Sequence, residues 1–235
     1  MKTMIILGSE GYLGKAVQDH FQDQYHLIRV DIKQTASKEE AGVFSGFDLS
    51  NHDHIQHLIT YLKEKELKVD AIVNLVGVNL VRNFYNISLN DWEKTMSTNV
   101  SSFLFFLKAV YPYLNTSVSI VVTASQNGVV AHEDRIDYGT SKAALIHLVK
   151  NLSIDFLKDS SKDIKINSIS PSYILNDSNQ QFFESYEGKK LIKKIPYKKL
   201  LVPEDVIHAI EFLVSDRSKA IRGQNLIIDY GYTLI

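Results

Sequence analysis

The sequence contains no cysteine. That excludes disulfides, thiolate nucleophiles, iron–sulfur clusters and cysteine-ligated zinc, while leaving the compartment open. Proline is scarce, four in 235 residues, and no Pro- or Ser-rich stretch marks a linker. Long apolar runs are missing too. None approaches the ~20 residues that span a bilayer, and Met4-Ile5-Ile6-Leu7 is shorter than the ~7–15-residue apolar stretch of a signal peptide. The expectation is a cytoplasmic protein without a membrane partner. Nor is there an excess of either charge: 26 basic against 27 acidic residues give a formal net charge of -1, so no global field draws the molecule to nucleic acid. What is present, 45% hydrophobic and 23% charged residues, suits a globular protein with a sizeable core.

Short apolar runs alternate with longer amphipathic ones. Segments rich in Val or Ile and bounded by Gly, Asp, Asn or Ser read as strands at Met4–Leu7, His26–Asp31, Val43–Phe47, Ala71–Val76, Val118–Thr123, Ile164–Ile169 and Leu226–Asp229. Helical spacing falls at Tyr12–Phe21, His52–Lys65, Leu89–Leu114, Tyr138–Asp159 and Pro203–Ser215. Ser88 three residues before Asp91, and Pro203 followed by Glu204-Asp205, are helix starts. This alternation implies an α/β fold, a parallel sheet with helices on both faces, in one domain over 1–235. The least regular stretch, residues 170–201, carries Lys189, Lys190, Lys193, Lys194, Lys198 and Lys199. It reads either as an amphipathic helix with a solvated basic face or as a flap over a substrate.

The first strand runs into Gly8-Ser9-Glu10-Gly11-Tyr12-Leu13-Gly14, which opens a helix. A dinucleotide pyrophosphate needs a tight turn, backbone without Cβ, and the free N–H groups of a helix N-terminus. Asp31 ends the next strand, 17 residues beyond Gly14. A carboxylate there accepts from ribose hydroxyls and repels a 2′-phosphate, so NAD(H) is favoured over NADP(H), although Lys33 stands close by. Asp48-Leu49 either flank the adenine or, for Asp48, cap the following helix.

Tyr138 and Lys142 are spaced i, i+4 and share a helix face. An ammonium one turn from a phenol favours the phenolate and draws the pKa of a tyrosine, ordinarily near 10, toward neutrality. Ser125, 13 residues before Tyr138, follows a strand in Ser125-Gln126-Asn127-Gly128, where a hydroxyl can hold a substrate oxygen.

These ordered motifs resemble the short-chain dehydrogenase/reductase family over essentially the full length. The resemblance extends to Asn74-Leu75-Val76-Gly77, to Asn99 in Ser97-Thr98-Asn99-Val100, to Asn167-Ser168-Ile169-Ser170-Pro171 and to Gly223-Gln224 through Asp229-Tyr230-Gly231. It implies a Rossmann-type three-layer αβα sandwich with seven parallel strands ordered 3-2-1-4-5-6-7. It implies hydride transfer between a nicotinamide and an alcohol or ketone, with Tyr138 as acid/base, Ser125 polarising the substrate oxygen, Lys142 on the nicotinamide ribose, and Asn99 anchoring a water. Gly8, Ser9, Gly11, Tyr12, Leu13, Gly14, Asp31, Asp48, Leu49, Asn74, Val76, Gly77, Tyr138, Lys142, Pro171 and Ser172 are thereby the cofactor-binding candidates. A homodimer or homotetramer is implied as well.

The sequence also departs from the family pattern. The middle glycine of the loop falls one residue early, Val76 replaces a small alanine, Leu75 replaces a second asparagine, and Ser172 stands where glycine is usual. Asn79, Arg82, Asn127, Arg135 and Tyr173 are the candidates for contact with a small-molecule substrate. Together with His132, Glu133 and Asp134 they suit a hydroxylated, even anionic, compound such as a sugar derivative. That expectation agrees with a loose similarity to a bacterial flagellin- and surface-sugar-modifying subgroup. The alternatives are a 3-oxoacyl-thioester reductase and a non-catalytic dinucleotide sensor or scaffold. Trp92, Leu89 and Met96 share a helical face and are expected in the core. His52, His54 and His57 read as solvated, without a metal set.

Overall fold

Seven parallel strands form the centre of the molecule: β1 (Lys2–Leu7), β2 (Tyr25–Asp31), β3 (Val43–Ser45), β4 (Val69–Asn74), β5 (Leu114–Thr123), β6 (Asp163–Pro171) and β7 (Asn225–Ile228). This computed structural model describes residues 1–34 and 41–234. The strand order is β3-β2-β1-β4-β5-β6-β7, as the resemblance implied, so the chain reverses direction across the sheet between β1 and β4. Ligands of open parallel sheets bind outside the strand C-termini at such a switch point.

The helices are α1 (Tyr12–Phe21), α2 (His52–Glu64), α3 (Leu89–Met96), α4 (Ser102–Val110), α5 (Ile136–Asp155), α6 (Gln180–Glu184), α7 (Tyr186–Lys194) and α8 (Pro203–Val214). Strand side chains alternate between faces, and the core accordingly divides in two. On one face Ile5, Ile72 and Ile120 pack with Leu58 of α2, Phe106 of α4 and Leu145 of α5. On the other, Met4, Val73 and Val121 pack with Val17 of α1 and Ile210 of α8. Burying one such side chain stabilises by about 1.5–3 kcal/mol.

Local signals set the helix starts. Asn51 caps α2 by accepting from the N–H groups of Asp53 and His54. Ser88 and Asp91 form the reciprocal box expected at α3. Pro203 stands at the start of α8, where the Asp205 carboxylate accepts from Val202 N–H at 3.0 Å. Asp48 is therefore not a helix cap; it closes a turn by accepting from the Ser50 N–H and hydroxyl.

Three expectations change. The long helix expected at Leu89–Leu114 is interrupted by a π-helical turn at Ser97–Ser101, and Leu114 already belongs to β5. Trp92 and Leu89 are not core: Leu89 is 72% exposed and Trp92 36%, because only Thr95 of α3 faces inward. Of the α2 histidines expected to be solvated, His52 and His57 are exposed, His57 edge-on to Phe44, whereas His54 is half-buried on Phe47 and its Nδ1 accepts from Asp48 N–H. Residues 170–201 fold into α6 and α7, with Phe183 and Ile195 buried and the lysines of α7 exposed. No helix among the described residues is long and apolar enough to cross a membrane.

Candidate active site

The turn after β1 lies on one wall of a cleft of about 650 Å³ that also includes Asp31, Asp48 and Val76. A Cβ on Gly14 would stand 2.2 Å from the Gly8 carbonyl oxygen, so only glycine lets α1 press onto this loop. The N-terminus of α1 has no side-chain cap and no acidic residue in its first turn. Its free N–H groups and positive dipole end thus remain available to an anion. Asp31 is 8% exposed, and both of its oxygens are fixed: Oδ2 accepts from Glu10 N–H and Oδ1 from Lys33 N–H, each at 2.8 Å. The Lys33 ammonium donates to the Glu10 carbonyl at 3.4 Å. Together, an uncapped helix end, an approachable glycine loop and a fixed carboxylate across the cleft fit a dinucleotide.

The candidate cofactor residues divide by position. Gly8, Gly11, Asp31, Asp48, Leu49, Val76 and Gly77 line the cleft. Leu13 does not present its side chain there; it is buried against the sheet with Val17 and Phe21. Ser9 is 2% exposed, and its carbonyl accepts from the Gln18 amide. Asn74 holds the end of β4, its Oδ1 accepting from Val76 N–H at 3.1 Å. Ser172 continues the β6–β7 ladder through its N–H to the Ile228 carbonyl. Sequence reasoning missed Ser97 and Thr98 of the π-helical turn, and Ser102 at the start of α4, on the cleft wall, because that turn has no signature in hydrophobic spacing.

At the strand ends, Ser125, Tyr138, Lys142 and Asn99 converge. Ser125 is 7% exposed and follows β5; its Oγ accepts from Asn127 N–H at 3.1 Å, and its hydroxyl favours the Tyr138 phenolate. Gly128 brings this turn against α5, since a Cβ there would lie 2.7 Å from the Lys142 carbonyl carbon. Asn99 sits inside the π-helical turn and is buried. Its Oδ1 accepts from Val78 N–H at 2.7 Å, and its Nδ2 donates to the Val78 carbonyl at 3.0 Å and to Ser141 Oγ at 2.9 Å. The amide thereby ties the segment after β4 to α5.

The electrostatics differ from the sequence expectation. The Lys142 ammonium donates to the Thr123 carbonyl at 2.8 Å and lies 5.7 Å from the Tyr138 ring centroid. Burial lowers its pKa to about 8. The Tyr138 pKa is raised, not lowered: desolvation outweighs the opposing effects of the Ser125 hydrogen bond and the Arg135 charge. Sequence spacing gave the lysine's proximity but not the removal of both groups from water, which disfavours each charged form. Tyr12 has a half-exposed ring, yet its phenol is raised to about 12 by desolvation and then by Tyr138, which places the glycine loop within electrostatic reach of the Tyr138 phenol.

The substrate candidates separate as well. The Arg82 guanidinium is engaged by Asp91 Oδ2 at 2.9 Å and the Leu80 carbonyl at 2.9 Å, so it braces the loop before α3. Asn79 accepts from Val81 N–H. Asn127 and Arg135 line a second cavity of about 520 Å³ on the flank of α5, with His132 and Thr140. Asn127 Oδ1 and Arg135 Nε are buried there without partners. Tyr173 is hydrogen-bonded to His132 Nε2 at 2.9 Å. Among the described residues, no three His, Asp or Glu side chains are arranged to hold a metal ion.

With this geometry established, comparison with known proteins gives the class. A short-chain dehydrogenase/reductase family model described as enoyl-(acyl carrier protein) reductase matches residues 21–233. The chain belongs to this family. It is 28% identical to an NAD-dependent glycerol dehydrogenase of Listeria innocua, over 99% of this chain and 94% of that protein. It is 25% identical to a D-threitol dehydrogenase of Mycolicibacterium smegmatis, over 99% and 93%. The structure of 4-hydroxyisoleucine dehydrogenase complexed with NADH superposes with a TM-score of 0.88 at 27% identity, covering 100% of both chains.

Proposed function

We propose that the protein is an NAD(H)-linked dehydrogenase that interconverts an alcohol and a ketone on a small polyhydroxylated compound. The observation that carries this reading is the convergence of Ser125, Tyr138, Lys142 and Asn99 at the strand ends, with Lys142 and Asn99 against Gly77, which lines the cleft. Glycerol and threitol dehydrogenases among the relatives support the substrate class.

Gly8, Gly11 and the N-terminus of α1 would hold the pyrophosphate, Asp31 the adenosine ribose, and Lys142 the nicotinamide ribose. The dinucleotide, when bound, supplies the acceptor or donor of the hydride. Ser125 holds the reacting oxygen, and Tyr138 takes the hydroxyl proton during oxidation or returns it during reduction. Arg135 favours the phenolate through its charge. Asn99, through Val78 and Ser141, keeps the segment after β4 in register with α5.

The fixed carboxylate of Asp31 supports NAD(H) over NADP(H), because a 2′-phosphate beside it would be repelled. Residues 170–201 form the substrate flap, rooted at Tyr173 and Phe183, whose rings meet edge to face. Phe105 of α4 and Ile154 of α5, each at least 60% exposed, support assembly of identical subunits. The basic face of α7 favours a second reading, reduction of a 3-oxoacyl group on an acidic carrier.

The test is NADH fluorescence on binding, followed by turnover against polyols, sugars and oxoacyl thioesters. Polyol oxidation lost in Tyr138→Phe, with NADH binding retained, supports the reading. Cofactor binding without turnover of any of these compounds would leave a dinucleotide sensor.

A further inference from the structure

No step of the proposed reaction uses the cavity of about 520 Å³ on the flank of α5, which has room for a small organic molecule. It lies where the turn after Ser125 meets the first turn of α5. Arg135 brings a guanidinium to its wall and belongs to none of the ion pairs among the described residues. Nη1 donates to the Asp134 carbonyl oxygen at 2.8 Å, and Nε is sealed from water with no acceptor. Nη2 is not sealed, and it too has no acceptor among the described residues. Across the cavity, neither atom of the Asn127 side-chain amide has a partner among the described residues. The other polar groups of the wall are already engaged. Asp134 Oδ1 accepts from the Asn83 amide at 2.7 Å, and the Thr140 hydroxyl donates to the Ile136 carbonyl at 2.6 Å. His132 is held between the Glu133 carbonyl and the Tyr173 hydroxyl. What remains is a guanidinium edge and a free amide, which call for an acceptor with negative charge. The start of α5 adds to that field. Its N-cap, Arg135, makes no side-chain cap, and the acid of its first turn, Asp137, faces inward to Thr95.

We infer that this cavity is a binding site for a small carboxylate, held by Arg135 and Asn127. The planar edge of a guanidinium matches the plane of a carboxylate, which a lysine ammonium would not do. Ile136 and Ala143 in the wall give the carbon part of such a molecule an apolar surface, which a bare inorganic ion would leave unused. The site shares its wall with the reaction centre. Asn127 N–H donates to Ser125 Oγ at 3.1 Å, and Gly139 of the wall directly follows Tyr138. Two sources can carry the group, the substrate itself or a second molecule bound beside it, and the experiment separates them. The site stands on its own geometry and does not require the dehydrogenase reading.

The test is isothermal titration of the full-length protein with sodium malonate at constant ionic strength. Saturable binding is expected, weakened at least about tenfold in Arg135→Gln and in Asn127→Asp, which sets a like charge in the wall. The two substitutions lie on different elements, and urea midpoints confirm that each variant is folded. Lys63→Gln, on the exposed side of α2, should bind as the wild type does. No saturable binding by the wild type, or equal affinity in the wild type and both cavity variants, overturns the inference. Initial rates with NAD then identify the source. A carboxylate of the substrate makes malonate a competitor of the polyol, and kcat/KM for glycerate exceeds that for glycerol until Arg135→Gln removes the preference. A second molecule binds without competing. Either result upholds the site. Malonate binding with no turnover of any polyol or hydroxy acid overturns the dehydrogenase reading alone.

Discussion

The ammonium of Lys142 is bound to the carbonyl of Thr123 at the end of β5, 2.8 Å away, rather than to the phenol one helical turn before it. The contact spans 19 residues of sequence and fixes α5 against the strand whose next turn carries Ser125. The lysine thus acts as a strut between α5 and β5. Its charge, in a side chain with 3% exposure, is held out of water by one carbonyl.

This burial has a measurable consequence. The folded-state pKa of Lys142 is about 8, below the ordinary 10.5, so between those values the unfolded chain binds more protons than the folded one. Stability contributed at this site must therefore rise as the pH rises from about 8 to 10.5. Urea unfolding of the wild type and Lys142→Met across that window should show the wild type gaining on the variant by up to about 3 kcal/mol. A parallel response in the two proteins would refute the assignment.

Removal of the Tyr138 hydroxyl should cost turnover without costing the cofactor. Tyr138→Phe is expected to lower kcat about 10²- to 10⁴-fold, the usual worth of a positioned acid/base. The dissociation constant of NADH, followed by fluorescence, should change less than about threefold, within the ~0.5 kcal/mol of an uninvolved substitution.

Asp31 holds two backbone amides of the cleft and is the residue proposed to select the cofactor. Its oxygens fix the Glu10 and Lys33 amides, and Asp31→Ser removes the charge that opposes a 2′-phosphate. The ratio of kcat/KM for NADP over NAD is expected to rise by about tenfold or more, corresponding to ~1.4 kcal/mol or more. The melting temperature should fall at the same time, because two backbone donors lose their acceptor. An unchanged cofactor ratio would place the adenosine ribose elsewhere.

In the first turn of α5, Asp137 is fully buried, and its Oδ2 accepts from the Thr95 hydroxyl at 2.7 Å. Its other oxygen has no partner. Thr95→Val would leave a buried carboxylate with no side-chain donor in the structure, and should destabilise the protein by about 2–3 kcal/mol. Chemical denaturation measures this directly; a loss under 0.5 kcal/mol would show that the hydroxyl contributes little.

Gly14→Ala tests the loop. The added methyl meets the backbone of Gly8 and Ser9, not a movable side chain, so α1 and the turn must separate. NADH affinity is expected to fall at least about tenfold, the equivalent of ~1.4 kcal/mol. Retained affinity would mean that the loop rearranges when the cofactor binds.

Much of this was legible in the amino-acid order. Strand–helix alternation, the glycine loop and the Ser125, Tyr138 and Lys142 spacing are local patterns, set by backbone periodicity and the needs of a helix start, and each reappears in the structure. Trp92 was misplaced because helical spacing says that two residues share a face, not which neighbour covers it. The tertiary structure alone decided what lies far apart in sequence. It set Arg82 on Asp91, and carried Asn99 inward on a π-helical turn. Hydrogen-bond direction and desolvation depend on which groups are left without water, and that is settled only when the distant segments close around them.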